Sequence, residues 1–257
     1  MVFIDGVEGR MIFKEYSTMD IIKCVVFDLG WTLFDEDYRW FKTCNWMSDT
    51  LRAYGLFYEP DEIKIKYEAC CGRPDPEINS ITRQCLVELG LDTEIVSMLC
   101  KRHPWHTFNF FPYEGSRELL KKLRDCGVQI GVLSNQGKFT KDILVTHNFY
   151  DLCDFVFLSE EMGVMKPDQA FFDYAIDASG VDPCEMVYFG DRIDHDIIPS
   201  QQAGMQAALV YQGPHRLQEM TVNPDYIFRS ISEVINVIKP ISPGEVRFTK
   251  STDVIRV

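Results

Sequence analysis

Strands show in this chain as short apolar runs, rich in β-branched residues, that end on a polar residue or glycine. The first, IIKCVVFDLG at 21–30, is apolar without alternation, which predicts a strand covered on both faces. From about residue 37 to 103 no comparable run occurs. Instead DYRWFKTCNWMSDTLRAYG, PDEIKIKYEACCG, PEINSITRQCLVELG and DTEIVSMLCKRH each carry helical spacing, punctuated by Gly, Pro and Asp. After the aromatic stretch PWHTFNFFPY the pattern alternates. Helix SRELLKKLRDCG, with Leu119, Leu120, Leu123 and Cys126 on one face, precedes strand VQIGVLS. Helix 138–147, strand DFVFLS, helix 168–179, strand MVYFG, helix 194–203, strand QAALVY, the short strand YIF and helix ISEVINVI follow.

Such alternation predicts an α/β fold built on a doubly wound parallel sheet. The core is expected from residues 21–35 and 112–240, with an all-helical cap domain inserted at 36–111. An N-terminal extension over 1–20 and an irregular tail over 241–257 complete the expected organisation.

Composition narrows the classes of partner. With 257 residues, 46% hydrophobic and 25% charged, the chain has an ordinary globular balance, which excludes a fibrous or disordered design. A net charge of −13 with no basic cluster argues against nucleic acid and acidic membrane surfaces as partners. The start MVFIDGVEGRM has neither a basic leader nor an apolar run, and no stretch reaches the ~18–20 apolar residues of a membrane span. A cytoplasmic protein is therefore expected, its oligomeric state open. Nine cysteines at irregular spacing, Cys70 and Cys71 adjacent, form neither a zinc pattern nor a disulfide framework and are expected as reduced thiols.

In open parallel sheets ligands bind beyond the carboxyl ends of the strands. Four polar segments fall there: DLGWT at 28–32, SN at 134–135, KP at 166–167 and GDRIDHD at 190–196. Asp, then Ser, then Lys-Pro, then Gly-Asp with a further Asp, in this order, resembles the four motifs of the haloacid dehalogenase superfamily over roughly residues 22–238. The position of the insertion resembles that of its helical-cap subgroup. The resemblance implies a Mg²⁺-dependent phosphohydrolase that acts on a small phosphorylated metabolite, with Asp28 as the nucleophile that becomes an aspartyl phosphate. It implies Ser134 as a hydrogen-bond donor to a phosphoryl oxygen and Lys166 as the cation that holds Asp28 and the phosphoryl group together. Asn135, Leu29 and Gly30 are implied as substrate-binding positions. Magnesium is expected on Asp28, Asp191 and the backbone carbonyl of Gly30, with Asp196 supporting the metal or its waters. Asp194 and His195, in the same loop, read as a helix start.

One position departs from the pattern. Most phosphatases of this superfamily carry a second Asp two residues after the nucleophile, which protonates the leaving group and activates water; here that position is Gly30. Such proton transfer is worth ~10²–10⁴-fold in rate. Three readings stay open: an easier leaving group such as a sugar 1-phosphate or acyl phosphate, an acid supplied by the cap, or a noncatalytic protein that binds a phosphorylated ligand or partner. A metal-independent dehalogenase also lacks this Asp, but it lacks as well the acidic arrangement kept here at Asp191 and Asp196. Trp31 is expected to pack under the cap or narrow the pocket, and Thr32 to stabilise the loop. Asp35, Glu36 and Asp37 are expected to begin the first cap helix, favourably placed on its dipole, and not to act as acids. The aromatics from Trp105 to Tyr113 are expected at the hinge, and Arg73 in solvent.

Overall fold

The computed structural model describes residues 21–75, 77–78, 80–103 and 110–249. The expected N-terminal extension, residues 104–109 of the aromatic stretch and residues 250–257 lie outside this range.

Six strands form one parallel sheet in the order β5-β4-β1-β6-β7-β8. They are β1 (Cys24–Phe27), β4 (Gln129–Ser134), β5 (Phe155–Leu158), β6 (Met186–Gly190), β7 (Gln206–Val210) and β8 (Tyr226–Phe228). Both faces are covered, as the unbroken apolar run of β1 demands. Val25 and Phe27 point into a core shared with Leu119, Leu120 and Leu123 of α5 (Ser116–Asp125), Leu144 of α6 (Thr140–Thr146) and Val234 of α10 (Ile231–Val237). Cys24 and Val26 point the other way, against Phe171, Phe172 and Ala175 of α8 (Gln169–Ser179). The alternation of side chains along a strand thus supplies two apolar faces from one sequence run.

Between β2 (Phe34–Asp35) and β3 (Phe111–Pro112), which pair as a two-stranded antiparallel ribbon, the described residues make four helices. These are α1 (Asp37–Ala53), α2 (Pro60–Gly72), α3 (Ile81–Glu88) and α4 (Thr93–Cys100). They enclose their own small core, in which Met47, Leu51, Ile63 and Leu86 pack with the thiols Cys44, Cys70, Cys71 and Cys85. Trp31, from the loop after β1, is buried in that same cluster. Helix α2 also leans on the turn Pro214–Leu217, where a Cβ on Gly72 would stand 3.0 Å from the Leu217 carbonyl oxygen. Arg73, just beyond, is exposed as expected.

Two segments differ from expectation. The stretch read as an irregular tail makes a hairpin of β9 (Ile238–Ser242) and β10 (Glu245–Phe248). Val246 exchanges backbone hydrogen bonds of 2.7 and 2.9 Å with Ile22, and Val246 and Phe248 lie in the main core. The helix expected over 194–203 begins as a π-turn over Ile193–Ile197 before α9 (Ile198–Gln202). A short helix, α7 (Ser159–Met162), follows β5. Among the described residues no helix is long and apolar enough to cross a membrane.

Candidate active site

Asp28 follows directly on β1, and its N–H donates to the Phe189 carbonyl of β6 at 2.8 Å, which carries the ladder one residue past the strand. Its carboxylate therefore stands at the carboxyl edge of the sheet's middle. Ser134, the last residue of the neighbouring β4, donates from Oγ to Asp28 Oδ1 at 2.7 Å. Lys166, in the loop before α8, reaches the same oxygen from Nζ at 2.8 Å. The ammonium also meets Asp196 Oδ1 at 2.6 Å and Tyr188 Oη at 2.9 Å, so its three donors have three partners. Tyr188 donates in turn to the Leu133 carbonyl at 2.8 Å. Both contacts to Asp28 use Oδ1; Oδ2 accepts no hydrogen bond among the described residues.

Asn135 lines the cleft and also holds the loop that carries Lys166. Its Nδ2 donates to the Lys166 carbonyl at 2.9 Å and its Oδ1 accepts the Lys166 N–H at 2.8 Å, so the amide is spent on holding the lysine loop. Leu29 is fully buried in the core, which leaves only its main chain for any ligand.

The loop after β6 brings two more carboxylates. Asp196 returns over Gly190, where a Cβ would lie 2.3 Å from the Asp196 Cβ, so only glycine fits. Asp196 Oδ2 accepts the Arg192 N–H at 3.0 Å. Asp191 is 3% exposed, and its Oδ2 is buried with no hydrogen-bond partner. Ligand oxygens of Asp28, Asp191 and Asp196 all lie within 4.8 Å of one another. Like charges ~4 Å apart repel by about 4 kcal/mol at an effective dielectric of 20, and three carboxylates share Lys166 and the nearby Arg192, which is itself paired with Asp194. Burial, then the neighbouring charges of Asp196 and Asp28, drive the Asp191 carboxyl well above its usual range. Burial opposes the charge on Lys166 too, but Asp196 and Asp28 outweigh it and raise its pKa. An orphaned buried carboxylate oxygen beside two further carboxylates is the donor set of a hard divalent cation, so the residues present fit Mg²⁺.

Asp194 and His195 stand apart from this cluster. Asp194 accepts from Arg192 at 3.0 and 2.6 Å and lies 2.8 Å from His195 Nδ1. Burial opposes its ionisation, but His195 and Arg192 outweigh it and hold the carboxyl far below the usual range. The Arg192 ion pair, and not a helix cap, holds this side chain.

Trp31 packs under the insertion. Its backbone is left-handed, φ 47°, its ring meets Trp40 and His215 edge-on, and a Cβ on Gly213 would collide with it. Gln212 Nε2 donates to the Trp31 and Thr32 carbonyls at 3.0 and 3.2 Å, which pins this loop. Thr32 is wholly buried.

The acidic run after this loop begins α1 as expected, with Glu36 at the N-cap and Asp37 in the first turn. Asp35 Oδ1 accepts the Asp37 N–H at 2.8 Å, and Asp37 Oδ1 accepts Trp31 Nε1 at 3.3 Å. Glu36 makes no cap hydrogen bond and is 7% exposed. Its side chain turns back to a cleft of about 640 Å³, lined also by Arg39, His103, Asn135, Gln136, Phe139 and Met165. The residues flanking Ser134 and Lys166 thus form one wall and the start of the insertion the other.

A strand-end aspartate held by serine and lysine, next to a carboxylate pair suited to a cation, is the candidate active site of this doubly wound sheet. The chain belongs to the haloacid dehalogenase-like hydrolases, whose family model matches residues 25–210. It is 30% identical over 129 residues to the glyceraldehyde 3-phosphate phosphatase of Methanocaldococcus jannaschii, covering 50% of this chain and 57% of that protein. It is 30% identical over 168 residues to the protein of the same name from Methanopyrus kandleri, covering 61% and 70%. The chain thus spans little more than half the length of the first of these relatives. In fold it resembles the HAD phosphatase from Thermococcus onnurineus, with a TM-score of 0.56, 22% identity, and 84% and 97% of the two chains covered.

Proposed function

We propose that this protein is a Mg²⁺-dependent phosphohydrolase of small phosphorylated metabolites that works through an aspartyl phosphate on Asp28. The observation that carries the reading is the double hold on Asp28 Oδ1 by Ser134 and Lys166 while Oδ2 accepts no hydrogen bond among the described residues. A carboxylate so held is oriented as a nucleophile, and the phosphatase relatives support phosphorus as its target.

Asp28 and Asp191 would hold Mg²⁺ together with the Gly30 carbonyl, with Asp196 behind them. When bound, the cation neutralises charge on the phosphoryl group and on the carboxylates crowded around it. Ser134 Oγ turns from Asp28 to a phosphoryl oxygen. Lys166, fixed by Asp196, Tyr188 and the Asn135 clamp on its backbone, keeps a positive charge between nucleophile and phosphate. Asp28 attacks phosphorus in line, the bond to the leaving oxygen breaks, and water then releases phosphate from the aspartyl ester. The helical insertion is read as a cap that shapes the cleft and so selects the substrate.

A panel of phosphorylated metabolites, assayed with and without Mg²⁺ on the native protein and on Asp28→Asn, tests the reading. Phosphate release that needs Mg²⁺ and disappears in Asp28→Asn is expected. A phosphoryl-binding protein without turnover is the second reading, favoured by the missing side chain at Gly30; ligand-induced stabilisation with no phosphate release across the panel would establish it instead.

A further inference from the structure

An alkoxide is a poor leaving group, and the water that hydrolyses an aspartyl phosphate must lose a proton, so the chemistry proposed above calls for a proton carrier at the cleft. Asp28, Asp191 and Asp196 are committed to nucleophile and metal, and Gly30 has no side chain. Two carboxylates line the neighbouring cleft, whose walls include Asn135 and Met165 but none of Asp28, Asp191 and Asp196. Glu160 is exposed, and its Oε2 already accepts the Lys138 N–H at 2.7 Å. Glu36 is the other. A Cβ placed on Gly30 would lie 2.9 Å from Glu36 Oε1 and 3.0 Å from its Cδ, so the Glu36 carboxylate fills the space into which a side chain at position 30 would point.

Its pose is held from both walls. Arg39 Nη1, from the same helix, donates to Glu36 Oε1 at 3.0 Å, and Gln136 Nε2, two residues past Ser134, donates to the same oxygen at 2.7 Å. Arg39 also donates to Gln136 Oε1 at 2.9 Å, which closes the triangle. Glu36 Oε2 accepts no hydrogen bond among the described residues. The anchored Oε1 is the nearer of the two to the Cβ position at Gly30, and Oε2, 3.4 Å from it, keeps its acceptor capacity unused among the described residues.

We propose that Glu36 is the catalytic proton donor and acceptor of this enzyme, in the place left by Gly30. The inference rests on the phosphohydrolase reading. In the first step Asp28 Oδ bonds to phosphorus, the P–O bond to the substrate alcohol breaks, and the Glu36 proton passes to the alkoxide oxygen. In the second, water oxygen bonds to phosphorus, its proton passes to Glu36, and the P–O bond to Asp28 breaks. The sum is ester plus water to alcohol plus phosphate, with Glu36 again protonated. Arg39 and Gln136 are positioning residues.

Glu36→Gln keeps the shape and the contact to Arg39 but carries no transferable proton. On an alkyl phosphate accepted by the native protein its kcat should fall about 10²–10⁴-fold. On p-nitrophenyl phosphate, whose leaving group needs no proton, it should release one equivalent of nitrophenolate in a burst and then stall as phosphoenzyme. Glu36→Ala should lose alkyl phosphatase activity similarly, and adding Gly30→Asp to it should restore at least about tenfold, because the two positions share one space. Native turnover that Glu36→Gln matches on both substrates, or a double variant no faster than Glu36→Ala while melting normally, overturns the role of Glu36 alone. Absence of Mg²⁺-dependent turnover by the native protein overturns the phosphohydrolase reading, and this inference with it.

Discussion

Two carboxylates of one short loop, Asp191 and Asp194, meet opposite fates. Asp194 is matched: Arg192 and His195 take its oxygens, and its pKa is pushed down despite burial. Asp191 is unmatched: one oxygen has no partner, two further carboxylates face it, and its pKa is driven up. The same side chain three residues away is therefore a support in one case and a stored deficit of positive charge in the other. What separates them is which groups lie near enough to compensate, and a buried carboxylate left uncompensated is where a cation belongs.

The comparison can be broken at several points. The largest effect is expected at the centre of the unmatched cluster, where Asp28→Asn should lower phosphate release by about 10³-fold or more, measured under saturating Mg²⁺. Next comes Asp191→Asn, read by thermal melting. With its pKa raised in the folded state, ionised Asp191 costs stability once pH exceeds the unfolded value of about 4, so the metal-free native protein should lose stability as pH rises from there. Asp191→Asn should therefore melt higher than native without Mg²⁺ at neutral pH, by about 2–4 °C per kcal/mol relieved, and should no longer be stabilised by adding Mg²⁺. Equal melting temperatures and an unchanged Mg²⁺ response would remove the contrast altogether.

Asp194→Asn should do the reverse and less. Its depressed pKa contributes stability that is present above about pH 4 and is lost as pH falls through the folded value, so the variant should cost about 1–3 kcal/mol at neutral pH and little in strong acid. Its Mg²⁺ response should match the native protein's. Smallest of all, Arg73→Ala, exposed and outside both clusters, should stay within about 0.5 kcal/mol of native in melting.

Asp28, Ser134, Lys166, Asp191 and Asp196 were legible in the sequence because a parallel sheet presents its strand ends at one edge, so residues at those ends must meet. Glu36 was not, because its direction depends on how the loop after β1 folds back: Asp35 and Trp31 occupy Asp37, and the remaining acid is left to turn toward Gln136. The one cue was Gly30 itself, a vacancy that some neighbour had to fill. The hold of Asn135 on Lys166 was hidden for a related reason, since its partner is a backbone 31 residues away that no local pattern reveals. In the fold, the hairpin after Ile238 was hidden by Pro240 and Pro243, which look like loop residues yet are tolerated on an outer strand and in a turn.

The central place of β1 bears on how the chain folds. The Ser134 that holds Asp28 lies 106 residues beyond it, β6 further still, and the hairpin that pairs with Ile22 beyond both. Until those segments are present β1 is an apolar ribbon with two open edges, and contacts of such long sequence separation form slowly. The nucleophile acquires its setting only once segments far along the chain have come to surround it.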